Sequence, residues 1–148
     1  MSDFRKLSDT MFASPQIGLD DVATARDLGI ALIVNNRPEG ESLDQVPGEE
    51  IEAAARDLGI AYLAIPITHA GFSHPQVSAL VEAMQSADGP VLGYCRSGTR
   101  STLLWALARA SMGEDPAALA DAAANAGYDV AAIRPAMDAL AAQAGSGN

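Results

Sequence analysis

Short apolar runs recur along the chain, and their spacing predicts an alternation of strands and helices. Residues 30–34 (Ile-Ala-Leu-Ile-Val), 60–67 and 91–94 are almost continuously apolar, which is typical of strands buried on both faces of a parallel sheet. A further short strand is expected over Thr10–Ala13. Because such strands need helices on both sides, the pattern predicts the α/β class, with a central, mostly parallel sheet flanked by helices.

Helices are predicted where apolar residues recur at helical spacing and capping residues mark the boundaries. The clearest follows the last strand, since Leu103, Leu107 and Ala110 share one face of a helix over 99–111. The other predicted helices cover about 22–28, a segment ending at 58, 75–86, a segment opened by Asp115-Pro116 and one opened by Arg134-Pro135, before a flexible tail at about 145–148.

One heptapeptide, Ala-Arg-Asp-Leu-Gly-Ile-Ala, occurs twice, at 25–31 and at 55–61. Two copies do not make a solenoid, which needs repeats stacked throughout the chain. In both copies Gly is placed to end a helix in the left-handed conformation, and Ile-Ala begins the next strand. The repeated heptapeptide therefore indicates two similar helix–strand units.

Composition and charge narrow the possible functions. A chain of 148 residues is expected to form a single domain over 1–148. Its formal charge of -10 excludes the basic surface that nucleic acid or an anionic membrane would bind, so neither is an expected partner. With one Cys and two His the chain cannot form a disulfide or a Cys/His zinc site, and no metal or other cofactor is expected. Without an apolar leader or span, the expected location is the cytoplasm.

The segment from Cys95 to Arg100, with sequence Cys-Arg-Ser-Gly-Thr-Arg, lies between the last predicted strand and its helix. A glycine-containing loop at this position gathers backbone N–H groups at the positive end of a helix, which is a setting for an anion. A thiol beside it is expected to be ionised at neutral pH, and two arginines lie within five residues. We therefore predict that Cys95 is a catalytic nucleophile rather than an ordinary core cysteine.

The surrounding residues of this loop have predicted roles. Arg100 suits bidentate binding of an oxyanion, and the Ser101 hydroxyl is expected to donate to the thiolate or to a leaving group. The intervening loop residues are predicted to bind the anion, and these are Arg96, Ser97, Gly98 and Thr99.

Two residues outside the loop are further candidates for anion binding. Arg37 follows a predicted strand and should reach the edge of the sheet that carries Cys95, unless it is a surface residue paired with Glu39 or Glu41. His69 follows the next strand and could orient an anion, whereas Ser73 or His74 is placed to cap the helix that follows.

Several separated motifs occur in one order along the chain. They are Leu7-Ser8-Asp9, Ser14-Pro15-Gln16-Ile17, Asn35-Asn36-Arg37-Pro38-Glu39-Gly40, Ile65-Pro66-Ile67, the Cys95 loop and Ala126-Gly127-Tyr128-Asp129. Through these motifs nearly the whole chain resembles the phosphatase-like domain of beta-lactamase hydrolase-like proteins, while the loop 95–101 looks like the active-site loop of single-domain rhodaneses. The resemblance implies a fold like the dual-specificity type of protein tyrosine phosphatase.

Two departures from the tyrosine phosphatase pattern favour sulfur chemistry. That pattern places five residues between cysteine and arginine, but only four lie between Cys95 and Arg100. Dual-specificity phosphatases also place a general-acid Asp soon after a strand ending like Ile65-Pro66-Ile67, and residues 68–75 contain no carboxylate. A narrower ring of donors suits a persulfide, and a sulfite or thiolate leaving group needs little protonation.

We therefore predict a rhodanese-like sulfurtransferase that moves a sulfane sulfur from thiosulfate or a persulfide to a thiol or cyanide through a Cys95 persulfide. Its expected partner is this small sulfur-containing substrate. The family resemblance also implies a persulfide dioxygenase, to which such a domain can be fused, and because no HxHxDH metal motif follows in this chain, that partner is expected to be a separate chain. One alternative is a phosphatase forming a cysteinyl-phosphate on Cys95, with His69 or water replacing the missing acid. A non-enzymatic alternative is a sensor of persulfides or anions.

Overall fold

A computed structural model describes residues 2–146 and shows five strands with six α-helices. The strands are β1 (Arg5–Ser8), β2 (Met11–Ser14), β3 (Leu32–Asn35), β4 (Ala61–Ala64) and β5 (Val91–Tyr94). The helices are α1 (Leu19–Asp27), α2 (Gly48–Asp57), α3 (His74–Ser86), α4 (Thr99–Ser111), α5 (Pro116–Asn125) and α6 (Arg134–Ser146), with a short 3-10 helix over Ala131–Ile133.

The sheet has the strand order β1-β2-β5-β3-β4. Only β1 and β2 are antiparallel, and β2, β5, β3 and β4 run parallel. The predicted α/β architecture with a central, mostly parallel sheet is confirmed. Because β5 lies between two parallel neighbours, the residue that follows it reaches the middle of the sheet's carboxyl edge, where ligands bind in such folds.

Both faces of the sheet are covered, as continuously apolar strands require. Ile33 and Leu92 pack with residues of α1 and α2 on one face, and both are fully buried. Val34 and Val91 pack with residues of α3 to α6 on the other. Trp105 and Leu104 of α4 belong to this second, larger cluster, which fixes α4 against the sheet directly after the Cys95 loop.

Helix boundaries follow the local sequence closely. Ser73, not His74, caps α3: its hydroxyl accepts from the Gln76 N–H, while His74 is the first helical residue. The predicted tail is helical as far as Ser146, because α6 continues to that residue, and residues 147 and 148 lie outside the described part of the chain. The strand Arg5–Ser8 was not predicted.

Candidate active site

Cys95 lies where the sequence places it, in the turn between β5 and α4. The residue is fully buried. Its backbone N–H donates to the Ser14 carbonyl oxygen at 3.3 Å, and its Sγ accepts from the Gly98 N–H at 3.1 Å. The sulfur therefore faces the first turn of α4, where a backbone donor and the positive end of the helix dipole stabilise negative charge.

Gly98 gives the loop its shape. It is the N-cap of α4 and has a φ of 92°, in the left-handed region that side-chain-bearing residues rarely adopt. A Cβ at this position would lie 2.1 Å from the Tyr128 hydroxyl oxygen. That hydroxyl donates to the Ser97 carbonyl at 3.0 Å, so Tyr128 packs directly against the loop and holds its backbone.

Two backbone donors of the loop are free to bind a ligand. Among the described residues, no acceptor takes a hydrogen bond from the N–H of Arg96 or of Ser97. The Thr99 N–H is instead occupied, since it donates to Ser97 Oγ at 3.3 Å. Free N–H groups beside a thiolate at a helix N-terminus are the donors that an oxyanion requires.

Arg100 is held by a carboxylate from a distant loop. Its two terminal nitrogens donate to the two oxygens of Glu41 at 2.7 and 2.9 Å, and one of them also donates to the Ile67 carbonyl at 2.9 Å. Glu41 in turn accepts from Arg37 Nε at 2.9 Å. Glu41 therefore links the side chains of Arg37 and Arg100. Arg37 does not lie on the surface, since it is 5% exposed and also donates a hydrogen bond to the Gln16 side chain.

The charges of this bridge stabilise one another. The hydrogen bond from Arg100, assisted by that from Arg37, lowers the pKa of Glu41 to about 2. The same carboxylate raises the pKa of Arg100, and the neighbouring Cys95 acts in the same direction. Glu41 is therefore ionised at neutral pH, where it orients Arg100 and cannot donate a proton.

The Ser101 hydroxyl is committed to a different partner from the predicted one. It donates to Asn36 Oδ1 at 2.7 Å in a buried bond, and Asn36 Nδ2 donates to the Ile65 carbonyl at 2.9 Å. A hydroxyl has one proton, so the predicted donation to the thiolate is not the bond that the structure contains. Asn36 thereby connects α4 to the loop after β4 through two hydrogen bonds.

A cleft of about 300 Å³ opens beside the loop. His69 lies on its wall and is exposed, in agreement with its predicted place at the same edge of the sheet. Its walls are formed by Glu41, Thr68, His69, Arg96 and Arg100. The structure thus brings Arg96, Arg100 and His69 together at one cleft, and the side chain of Cys95 is buried next to that of Arg100. In the described part of the chain, no group of three or more His, Cys, Asp or Glu is arranged to bind a metal ion.

Two residues of the site were missed by the sequence reasoning. Glu41 was considered only as a partner of Arg37, although an acidic residue shortly after a buried strand was a signal for contact with the loop at the same edge. Tyr128 was noted only within a matching stretch, and no local pattern indicates that its hydroxyl reaches Ser97, 31 residues away.

A family model for the "Beta-lactamase hydrolase-like protein, phosphatase-like domain" matches residues 3–112. The chain belongs to this family. The matched part of this phosphatase-like domain contains the whole sheet, the Cys95 loop and α4, whereas Tyr128 lies beyond it. A beta-lactamase hydrolase-like protein from Xylella fastidiosa is 32% identical over 101 residues, which are 68% of this chain and 23% of that protein. The chain spans about a quarter of the length of the curated relatives it matches.

Solved structures agree with the family. A protein from Neisseria meningitidis described as a putative phosphatase has a TM-score of 0.83 and 29% identity, covering 95% of this chain and 99% of that one. TpbA of P. aeruginosa has a TM-score of 0.67 and 21% identity, covering 97% and 91% of the two chains, and it supports the fold alone. The predicted fold of the protein tyrosine phosphatase type is confirmed.

The same findings overturn the predicted reaction. The family and the 29%-identical structure favour a phosphatase, so the prediction of a rhodanese-like sulfurtransferase is wrong, and the alternative fits better. The physical reason is that free N–H groups and an arginine bind the negative charge that thiosulfate and phosphate share, and the cysteine sulfur beside them is a nucleophile in either reaction. The length of the loop does not by itself separate the two reactions. Within residues 2–146, no helix is long and apolar enough to cross a membrane.

Proposed function

We propose that this domain hydrolyses phosphate monoesters through a cysteinyl-phosphate on Cys95. The observation that carries the proposal is the arrangement around the sulfur: it accepts from the Gly98 N–H, two further N–H groups of the loop are free, and Arg100 is oriented by Glu41. A thiolate, backbone donors and a guanidinium are the groups that bind a phosphoryl group and stabilise its transfer.

In the first step the Cys95 thiolate attacks phosphorus. An S–P bond forms as the bond between phosphorus and the ester oxygen breaks, and the electron pair leaves with that oxygen. The N–H groups of Arg96 and Ser97, together with Arg100, bind the phosphoryl oxygens as charge develops on them. The positive end of the α4 dipole lies at the same point.

In the second step a water molecule attacks phosphorus and the S–P bond breaks. The water gives a proton to His69, which has protonated the departing alcohol in the first step, inorganic phosphate leaves, and the thiolate is restored, so the enzyme returns to its starting state. The bond from Gly98 to the sulfur favours the thiolate as leaving group in this step just as it favours the nucleophile in the first.

His69 is the proposed proton donor for the departing alcohol. It lies on the wall of the cleft beside Arg100, and residues 68–75 contain no carboxylate that could do this. Glu41 lines the same cleft but is held ionised by two arginines. Imidazolium is an effective acid near neutral pH, which suits this task.

Release of inorganic phosphate from 4-nitrophenyl phosphate and from phenyl phosphate tests the proposal. The wild-type protein is expected to turn over at least the nitrophenyl ester, and Cys95→Ser to lose this activity while remaining folded by circular dichroism. Failure of the wild type to release phosphate, with formation of thiocyanate from thiosulfate and cyanide, would overturn the proposal.

A further inference from the structure

Arg96 differs from every other basic side chain of the protein. All nine Lys and Arg residues lie within the described residues, and eight of them form a salt bridge with an aspartate or glutamate. Arg96 alone forms none, and its side chain makes no hydrogen bond within the described residues. The chain has a charge of -10 and carboxylates outnumber basic side chains, so an arginine without a carboxylate partner is unusual.

Arg96 lies at the rim of the proposed phosphate site. The residue is exposed, follows Cys95 directly and shares the wall of the cleft with Arg100 and His69. Its backbone is fixed, because its carbonyl oxygen accepts from the Gln16 N–H at 3.2 Å. The guanidinium is therefore carried by an ordered backbone at the rim of the proposed phosphate site.

The nearby carboxylates do not neutralise this guanidinium. Both oxygens of Glu41 already accept from Arg100, and one also accepts from Arg37. The hydrogen bond from the Ser42 hydroxyl, at 2.8 Å, is the main cause that lowers the pKa of Asp44. The charges of Arg37 and Arg96 contribute less, and Asp44 forms no salt bridge with Arg96. The rim consequently has one unneutralised cation available to a ligand.

A guanidinium at such a place favours ligands with a carboxylate or phosphate, since it can bind either with two parallel hydrogen bonds. The phosphoryl group of the substrate is accounted for by Arg100 and the loop N–H groups. The Arg96 guanidinium is therefore available to bind a second anionic group elsewhere on the substrate. The overall negative charge of the protein makes this local cation more selective, because anions are disfavoured on the rest of the surface.

We propose that the domain prefers phosphate monoesters that carry a second anionic group, a carboxylate or a further phosphate, and that Arg96 binds this group. The proposal rests on the proposed phosphatase function and names its substrate class. Arg96 acts here as a specificity-determining residue, while Cys95 and Arg100 serve the phosphoryl group common to all substrates.

Matched substrates separate charge recognition from leaving-group chemistry. The probes are 3- and 4-carboxyphenyl phosphate, each compared with its methyl ester, which has the same ring and no second charge. The measured quantity is the ratio of kcat/KM for the acid to kcat/KM for the ester. For one exposed ion pair we expect the better of the two isomers to give a ratio of about five in the wild type, decreasing with added salt.

Two variants identify the residue responsible. Arg96→Gln keeps the backbone N–H of the loop and is expected to bring the ratio of kcat/KM for the acid to kcat/KM for the ester to about one, because the ratio cancels any change in turnover that both probes share. Arg26→Gln removes an exposed arginine that is salt-bridged to Asp27 and should leave the ratio unchanged. A wild-type ratio of one for both isomers, or a preference that persists in Arg96→Gln, would overturn the inference. Turnover of none of the four probes would instead count against the phosphatase function itself.

Discussion

Arg100 and Glu41 lie 59 positions apart in the sequence and form a two-bond ion pair beside Cys95. Both terminal nitrogens of the arginine take part, and the side chains of the two residues are only 24% and 23% exposed. The pair fixes the plane of the guanidinium before any ligand arrives. Orientation of this kind reduces the cost of reorganisation during the reaction, which is how a polar site stabilises a transition state.

Glu41→Gln should weaken catalysis without removing any group that touches substrate. The amide cannot accept from both arginines as a carboxylate does, so Arg100 loses its fixed orientation, and kcat/KM on 4-nitrophenyl phosphate is expected to decrease about 10- to 30-fold. Glu52→Gln is the matched control, since Glu52 pairs with Arg56 on the surface. Equal activity of Glu41→Gln and wild type would show that the ion pair has no positioning role.

The same carboxylate predicts how stability changes in acid. Glu41 has a pKa of about 2 in the folded protein against an ordinary value of 4.5, so its stabilising contribution is complete above about pH 4.5 and is lost as the pH decreases towards 2. In urea unfolding between pH 5 and pH 3, the free energy of unfolding should decrease less steeply for Glu41→Gln than for wild type. Parallel pH profiles of the two proteins would contradict this assignment.

Gly98→Ala should destabilise the protein for two separable reasons. The left-handed φ is strained for alanine, and the new Cβ would collide with the Tyr128 hydroxyl. Gly113→Ala is a matched control, because Gly113 has a similar φ of 97° but its nearest neighbour would be 3.8 Å away. Urea unfolding should give a loss of about 1–2 kcal/mol for Gly113→Ala and a larger loss for Gly98→Ala. Equal losses would mean that Tyr128 moves away from the new methyl group without any loss of stability.

A leaving-group comparison tests the role of His69. His69→Asn should reduce kcat on phenyl phosphate about 100-fold, because phenolate leaves slowly without a proton, and should affect 4-nitrophenyl phosphate far less, because nitrophenolate needs no proton. His74→Asn provides the control, since His74 is the other histidine, begins α3 and is not one of the residues that line the cleft. If His69→Asn reduced turnover of both esters equally, the residue would not be the acid.

The local sequence determined the part of the site that is contiguous in the chain. The strand Val91–Tyr94 and the helix Thr99–Ser111 were predicted with the bounds that the structure shows, so Cys95 was correctly placed in the turn between them. This succeeded because an apolar run and a helical spacing are both short-range signals. The strand Arg5–Ser8 carries no such signal: it pairs at the edge of the sheet, and Leu7 is the one apolar residue among its four.

The long-range part could not be predicted in the same way. The bridge from Arg37 through Glu41 to Arg100 and the contact of Tyr128 with Ser97 depend on how three separate loops meet above the sheet. The prediction of the reaction failed for a related reason. It followed from the spacing in the Cys95 loop and from the absence of a carboxylate in residues 68–75, but the anion-binding chemistry of the loop is common to sulfur and phosphoryl transfer, and the family is recognised over residues 3–112.

Trapping of the covalent intermediate tests the central claim most directly. Wild-type protein is quenched in acid during turnover of 4-nitrophenyl phosphate, digested, and its peptides are analysed by mass spectrometry. We predict a phosphoryl group on the sulfur of Cys95, absent from Cys95→Ser treated in the same way. A phosphoryl group on another residue, or continued turnover by Cys95→Ser, would contradict the account.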